Sequence, residues 1–369
     1  MRRILEWGVV GAGALMAAGT LASLSRNSHW LVRLWDFPRI QIALVAGSSA
    51  GLHLALYNRR RTADWLFLGA TSASAAWQLY NIYAYTPLAR KQVQRRREPR
   101  EGCGLRILIS NVLMENEEHD RLLRVIEEAD PDVVLAVETD ERWADSLEPL
   151  TERYPHVVRH PRENYYGLML FSRLELVAPS VEFLVQDDVP SVHTLVKLPG
   201  GELVALHGLH PRPPEPIRDQ DSTPRDAELV LMGRAIGDKN GRPTPTVVVG
   251  DLNDVAWSGT TRLFLRVSGL LDPRVGRGMY NSYNARNPLF RYPLDHVFHS
   301  DDFRLVDLRR LPDIGSDHFP MLIELSYEPS ARAEQDGLDE RPNDREEASE
   351  KLEEQADAAR TGDDRPGRE

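Results

Sequence analysis

In the stretch Thr246-Val247-Val248-Val249-Gly250-Asp251-Leu252-Asn253-Asp254, a carboxylate and a carboxamide stand two residues apart behind an apolar run. Extended backbone points side chains i and i+2 to the same side, so Asp251 and Asn253 share a face at a strand end. An acid that takes a proton beside an amide that donates hydrogen bonds suits attack of water on phosphate. Asp251 would orient or deprotonate the water, and Asn253 would bind a phosphoryl oxygen. An Asx turn capping a strand accounts for the same two residues. Other residues of catalytic type occupy similar places. Asn111 follows Leu105–Ser110, Glu138 closes Asp132–Val137, and His210 ends Glu202–Leu209. Asp295 is embedded in Tyr292–Phe298, and Asp317 and His318 follow Gly315-Ser316. Each alone reads as a cap, a surface histidine or a turn residue. Six such places in one chain point to a shared site.

The elements behind these residues alternate in type. Leu105–Asn111 reads as a buried strand. His119–Ala129 places Leu122, Leu123, Val125 and Ile126 at helical spacing and ends at Asp130-Pro131. Asp132–Glu138 is a second buried strand, so Asn111 and Glu138 both stand at strand carboxyl ends, where sites in such sheets lie. Glu138 also suits the first turn of a helix beginning near Thr139. Gly167–Arg173 and Val192–Lys197 read as strands whose spacing predicts antiparallel pairing. After His210, Pro211 to Pro216 block strand continuation and stiffen the loop. Helices are expected from about Pro224 to Gly237 and Thr260 to Val267, and a last strand over Met321–Leu325.

Residues 1–100 have a different character. They carry 14 Lys and Arg against 4 Asp and Glu, and three apolar stretches: Trp7–Leu24, Ile40–Tyr57 and Trp65–Tyr85. Each approaches the length that crosses a bilayer. Gly47 and Gly51 have the spacing that lets helices approach closely. Trp30, Trp35, Trp65, Trp77, Tyr80, Tyr83 and Tyr85 lie near the ends, as interfacial aromatics do. Met1-Arg2-Arg3 before an apolar run also fits a signal peptide, and three apolar helices also fit a soluble bundle. Arg2, Arg3 and Arg59-Arg60-Arg61 would share one side. Arg26, Arg33 and Arg39 would share the other with the basic run from Arg90 to Arg100, which leans the rest of the chain to the cytoplasmic face. The chain is thus divided into a membrane region (1–88), a basic linker (89–104), a globular domain (105–327) and a charged tail (328–369). The tail, with 7 basic and 15 acidic residues, is expected to be disordered. The overall charge of −11 then leaves the globular part acidic, an argument against a broad nucleic-acid footprint. The single cysteine, Cys103, excludes an internal disulfide.

The stretches Ile109-Ser110-Asn111, Val137-Glu138, Gly208-Leu209-His210, Gly250-Asp251-Leu252-Asn253, Leu294-Asp295-His296-Val297-Phe298 and Gly315-Ser316-Asp317-His318 resemble the endonuclease/exonuclease/phosphatase superfamily. Gly167 with Phe171-Ser172-Arg173 adds to the likeness, which covers about 101–327. The helical region ahead of it resembles a membrane-bound bacterial subgroup, placing the chain in an inner membrane. The resemblance implies an α/β fold (α+β): a four-layered sandwich of two packed mixed sheets with helices outside. It also implies phosphoester hydrolysis assisted by Mg²⁺, with Mn²⁺ as the alternative hard cation. Carried over by position, Glu138 would be the principal metal ligand, helped by Asn111 and Asp317. Asp251 would ready the water and Asn253 bind the phosphate. His318, oriented by Asp295, would stabilise charge or exchange protons. His210 would contact the phosphate or protonate the leaving oxygen. Arg286 and Arg291, near Asp295, are the candidates for substrate phosphate contacts. The expected activity is a membrane-anchored phosphodiesterase or phosphatase of nuclease type. The alternatives are a lipid or small-molecule phosphoesterase at the membrane surface and a catalytically retired scaffold. Expected partners are a nucleic-acid, lipid or small-molecule phosphoester and the membrane lipids around the helices.

Overall fold

The computed structural model describes residues 2–25, 27–56, 61–214, 221–238 and 244–361. Four helices come first: α1 (Arg2–Ser23), the short α2 (Trp30–Arg33), α3 (Arg39–Leu56) and α4 (Thr62–Tyr83). Strand β1 (Gly104–Asn111), α5 (His119–Ala129), β2 (Val133–Val137) and α6 (Glu141–Leu147) follow. Next are β3 (His156–His160), β4 (Leu168–Ser172), β5 (Leu176–Glu182), β6 (Ser191–Lys197) and β7 (Leu203–Gly208). Helix α7 (Thr223–Gly237), β8 (Thr246–Asp251), α8 (Gly259–Ser268), β9 (Asp295–His299), β10 (Phe303–Arg310), β11 (Met321–Tyr327) and α9 (Asp344–Thr361) complete the order.

The strands form two sheets, ordered β10-β11-β1-β2-β4-β3 and β5-β6-β7-β8-β9. Within them β1 is parallel to β2 and β7 to β8, and the other pairings are antiparallel. Alternate residues of each sheet point inward, and Ile107, Leu135, Leu170, Leu206, Val249 and Ile323 fill the space between. The opposite face of the first sheet packs on α5 and α6 through Leu122, Ile126 and Trp143. That of the second packs on α7 and α8 through Leu229, Phe264 and Phe298. The result is the expected four-layered α/β sandwich. Residues read as continuous apolar runs are strands buried on both faces. The helix 119–129 ends as expected: Asp130 adopts φ 48° and its N–H closes on the Ile126 carbonyl at 2.9 Å.

Four expectations need correction. First, β4 and β6 do not pair. They lie in different sheets, β4 between β2 and β3, and β6 between β5 and β7. Second, among the described residues two helical stretches, Ile4–Ser23 and Arg39–Leu56, are long and apolar enough to cross a membrane, not three. Helix α4 packs beside them but buries Thr71, Ser74, Gln78 and Asn81. Gln78 accepts from Arg39 Nη1 at 2.8 Å and donates to Thr20 Oγ1 at 2.9 Å. Gly47 meets Ala75 of α4, whereas Gly51 faces open space. Third, Arg33 and Arg39 are not free positive charges for fixing topology. Both are buried on Asp36, at 3.4 and 2.8 Å. Arg26, Arg59 and Arg60 lie outside the described residues. Fourth, residues 344–361 of the tail are helical and packed. Asp344 makes a two-pronged pair with Arg266 at 2.7 and 2.8 Å, and Lys351 reaches the buried Asp226 at 2.6 Å. Besides these ion pairs a small apolar contact, Ala348 and Leu352 against Val230 and Leu263, holds this helix, so composition gave little sign of it.

Candidate active site

The two parallel pairs bring the carboxyl ends of β1, β2, β7 and β8 to one edge of the sandwich. Strands β9 and β11 run the other way, so their amino ends reach the same edge. Asp251 sits opposite Asp295 in the ladder. Asn111, Glu138, His210, Asp251, Asp295 and His318 therefore meet from six strands.

Asn111 Nδ2 lies 2.6 Å from Glu138 Oε1 and 3.0 Å from Asp251 Oδ2. Its Oδ1 accepts from the Leu113 N–H at 3.0 Å, so the side chain is fixed at both ends. His210 Nε2 is 3.9 Å from both Glu138 Oε1 and Asp251 Oδ2. His318 Nδ1 is 2.8 Å from Asp295 Oδ2, and its Nε2 is 3.5 Å from Asp251 Oδ2. Both ring nitrogens of His318 thus face carboxylates. Burial alone would push this imidazole down, but Asp295 and then Asp251 override it and hold its pKa up at about 10. The carboxylates facing His210 stand farther off, at 3.9 Å. Burial, followed by repulsion from His318, lowers it to about 3 and leaves it neutral. Burial raises Glu138 to about 8 against the stabilising Asn111 hydrogen bond, and Asp251 to about 6.

The backbone at the site is tightly specified. Glu138 takes φ 62°, a left-handed conformation that costs a non-glycine residue roughly 1–2 kcal/mol. Such strain clusters at functional positions. The Thr139 carbonyl next to it would lie 1.8 Å from a Cβ on residue 167, so only glycine fits there. Asn253 takes φ 51°; its N–H caps Asp251 Oδ1 at 3.0 Å and its Nδ2 donates to the Pro211 carbonyl at 3.0 Å. Ser316 Oγ donates to the Asn111 carbonyl at 2.9 Å and accepts from the His318 N–H at 3.0 Å. One hydroxyl therefore locks the last motif onto the first.

The remaining candidates fall less centrally. Asp317 is half-buried, and its carbonyl accepts from the Ala285 N–H at 2.6 Å. Arg286 is exposed and donates to the Gly315 carbonyl at 3.0 Å. Arg291 spends its guanidinium on the Asn284 and Ala285 carbonyls and lies over Phe319. Arg212, Arg225 and Arg274 are buried. Ser172 and Arg173 belong to the opposite end of the sheet, where Ser172 pairs with Val133. Sequence reasoning missed Ser316, Tyr283 and Arg225 as residues of the site's surroundings. The Tyr283 ring packs on His318 at 4.9 Å. Arg225 donates to the Asn253 carbonyl at 2.7 Å. The serine inside Gly315-Ser316-Asp317-His318 was a visible signal; nothing local marked the other two.

The Endonuclease/Exonuclease/phosphatase family profile matches residues 108–318, which include every residue of the cluster from Asn111 to His318. The chain belongs to that family. It is accordingly a phosphoric ester hydrolase. The family's chemistry fits the cluster of acids, histidines and amides just described. No curated protein matches the chain by sequence. Among solved structures, D. rerio TDP2 complexed with a single-strand DNA product is 15% identical, with 60% of this chain and 99% of that one covered and a TM-score of 0.50. The endonuclease/exonuclease/phosphatase from Bacteroides vulgatus is 17% identical (61% and 99% covered, TM-score 0.49). The human Nocturnin catalytic domain with a bound sulfate anion is 16% identical (61% and 94% covered, TM-score 0.48). At these identities the likeness concerns the fold.

Proposed function

We propose that this family member is a membrane-anchored, divalent-metal-dependent phosphodiesterase of nuclease type that cleaves its ester by attack of water. The observation that carries the reading is the line Asp295–His318–Asp251, 2.8 and 3.5 Å long, meeting Asn111 and Glu138 at Asp251. Asp251, with its Oδ1 capped, takes a proton from water as the water oxygen bonds to phosphorus; the ester P–O bond breaks and the leaving oxygen takes a proton from solvent. His318, held as an imidazolium, faces the charge that grows on the phosphoryl oxygens. Neutral His210 suits donating a hydrogen bond to the phosphate rather than protonating the leaving oxygen. Asn253 uses one N–H on Pro211 and has a second for a phosphoryl oxygen.

The donor set fits a hard cation. Glu138, Asp251 and Asp295 converge with one imidazolium among them, the Asp317 charge acts on Glu138 and His318 through space, and burial disfavours the charge on Glu138. Asp251, Asp295 and His318 also offer donor atoms within 4.8 Å of one another. A doubly protonated His318 is no ligand, so Glu138 with Asp317 is the better holder, and Asn111 keeps Glu138 aimed. Mg²⁺ or Mn²⁺ held there would offset charge on the phosphoryl and leaving oxygens. Two apolar helices beside a third support anchoring in a membrane. A second reading, a lipid or small-molecule phosphoester as substrate, is favoured by the acidic balance of residues 101–327.

The test uses the full chain in detergent with Mg²⁺ or EDTA. Its panel is supercoiled plasmid, single-stranded DNA, RNA, phospholipids and bis-para-nitrophenyl phosphate. Mg²⁺-dependent cleavage that Asp251→Asn and Glu138→Ala both abolish is expected. Activity that survives EDTA, or either substitution, overturns the assignment.

A further inference from the structure

Between Tyr283 and Tyr292 the chain leaves the active-site edge and returns. At the tip of this loop Leu289 is 74% and Phe290 52% exposed. Among the described residues of 101–327, the other large exposed hydrophobics, Phe183 and Leu203, reach only 41% and 39%. This tip therefore carries, side by side, the most open large hydrophobics among the described residues of 101–327.

Its neighbour says what covers it. Gln41 Nε2, in the first turn of α3, donates to the Leu289 carbonyl at 2.6 Å. Phe37, just ahead of α3, meets Tyr292 at the base of the loop edge-on at 5.5 Å. Base and tip therefore both lie against the start of one of the two helices apolar enough to cross a membrane. Gln41 stands two residues into α3, roughly 3 Å along its axis at 1.5 Å per residue. The tip is level with the point where that helix would enter lipid. Arg286, exposed three residues before Leu289, adds a positive charge that anionic lipid phosphates would attract.

The other rim of the loop is catalytic. Ala285 N–H donates to the Asp317 carbonyl at 2.6 Å, and Arg286 to the Gly315 carbonyl at 3.0 Å. Tyr283 bridges both Tyr292 and His318. We infer that Leu289 and Phe290 insert into the bilayer beside α3 and hold the mouth of the active site against the membrane surface. The occupant of that mouth is then a phosphodiester borne by a lipid headgroup. This inference rests on the second reading above.

The experiment uses the full chain in vesicles of phosphatidylcholine and phosphatidylglycerol. An environment-sensitive fluorophore is placed on Leu289→Cys, or on Leu203→Cys at the far end of β7 as control. Native Cys103 is buried and does not compete for the label. Brominated lipids are expected to quench the probe at 289 and leave that at 203 unchanged. No quenching at 289, or equal quenching at both, overturns the insertion. In parallel, the double substitution Leu289→Asp/Phe290→Asp is expected to lower hydrolysis of vesicle phospholipid at least tenfold. Turnover of soluble bis-para-nitrophenyl phosphate should stay within twofold. An equal loss on both substrates overturns the substrate assignment. Quenching at 289 in a wild-type chain inert on both substrates would sink the phosphodiesterase reading while the docking stands. Turnover of the soluble diester without quenching would do the reverse.

Discussion

His318 is the residue whose state most depends on its surroundings. It is buried, and the surrounding carboxylates, Asp295 and Asp251 foremost, keep a proton on it. Asp295 supplies the closer contact at 2.8 Å and touches Nδ1, the nitrogen away from Asp251. Asp295→Asn keeps the shape of the site but removes the charge that offsets burial. We expect kcat on a phosphodiester to fall about a hundredfold or more, in the range of general acid–base contributions, with KM little changed. A loss under tenfold would make the pair a structural one. The participants were legible as residue types because each interrupts or ends a buried apolar run, as Glu138 does after Val133–Val137. Their pairing was not. Asp295 and His318 are 23 residues apart and meet only because β9 and β11 reach the same edge from different sheets. Nothing near Arg225 in the sequence shows that its guanidinium turns inward to the Asn253 carbonyl.

At the scale of elements, α7 stands between the second sheet and the tail helix and carries unusual buried charge. Asp226 is satisfied by Arg225, Lys351 and Thr260, at 2.8, 2.6 and 2.9 Å. Glu228, one half-turn on, has no such support: its Oε1 lacks a hydrogen-bond partner, and burial pushes its pKa up from 4.5 to about 8. The unfolded chain loses this proton near 4.5 and the folded chain only near 8. The folded form thus binds more protons in between, and stability falls as pH rises across that window. At about 1.4 kcal/mol per pH unit the loss is roughly 5 kcal/mol as an upper bound. Glu228→Gln should match the wild type at pH 4.5 and exceed it progressively to pH 8 in thermal unfolding. An equal Tm difference at both pH values would show that Glu228 does not titrate in the folded chain. The same contrast explains which elements were legible. Strands β1, β2, β4 and β8 are buried along their length and read as apolar runs. Edge strands β3 and β5 are half-exposed and mix charge with valine, so no period stands out. Helix α9 is held by Asp344 and Lys351, residue types that also mark a solvated tail, and by the small apolar contact of Ala348 and Leu352.

On the scale of the molecule, the helical region and the catalytic sandwich share one surface rather than a tether. Ile82 and Tyr85 pack with Val255, Ala256, Trp257, Tyr292 and Leu294. Tyr85, which the sequence places at a lipid interface, is buried there, and its hydroxyl donates to the Ala256 carbonyl at 2.6 Å. Trp257 Nε1 donates to the Asp36 carbonyl at 2.8 Å, and Arg262 donates to both Asn81 oxygens, at 2.8 and 2.7 Å. Trp257 follows Asp251 by only six residues, so the loop that positions Asp251 and Asn253 rests on the helices. Deleting residues 1–83 would bare Trp257 and leave Arg262 without its acceptors, a change of the kind that costs several kcal/mol. We expect the shortened chain to self-associate in light scattering and to unfold at lower temperature. Its turnover of a soluble diester, which needs no membrane, should drop at least tenfold. A monomeric and fully active shortened chain would mean that the loop holds its own shape. Reduced turnover would mean that the helices, besides any anchoring, form part of the wall that keeps Asp251 in place.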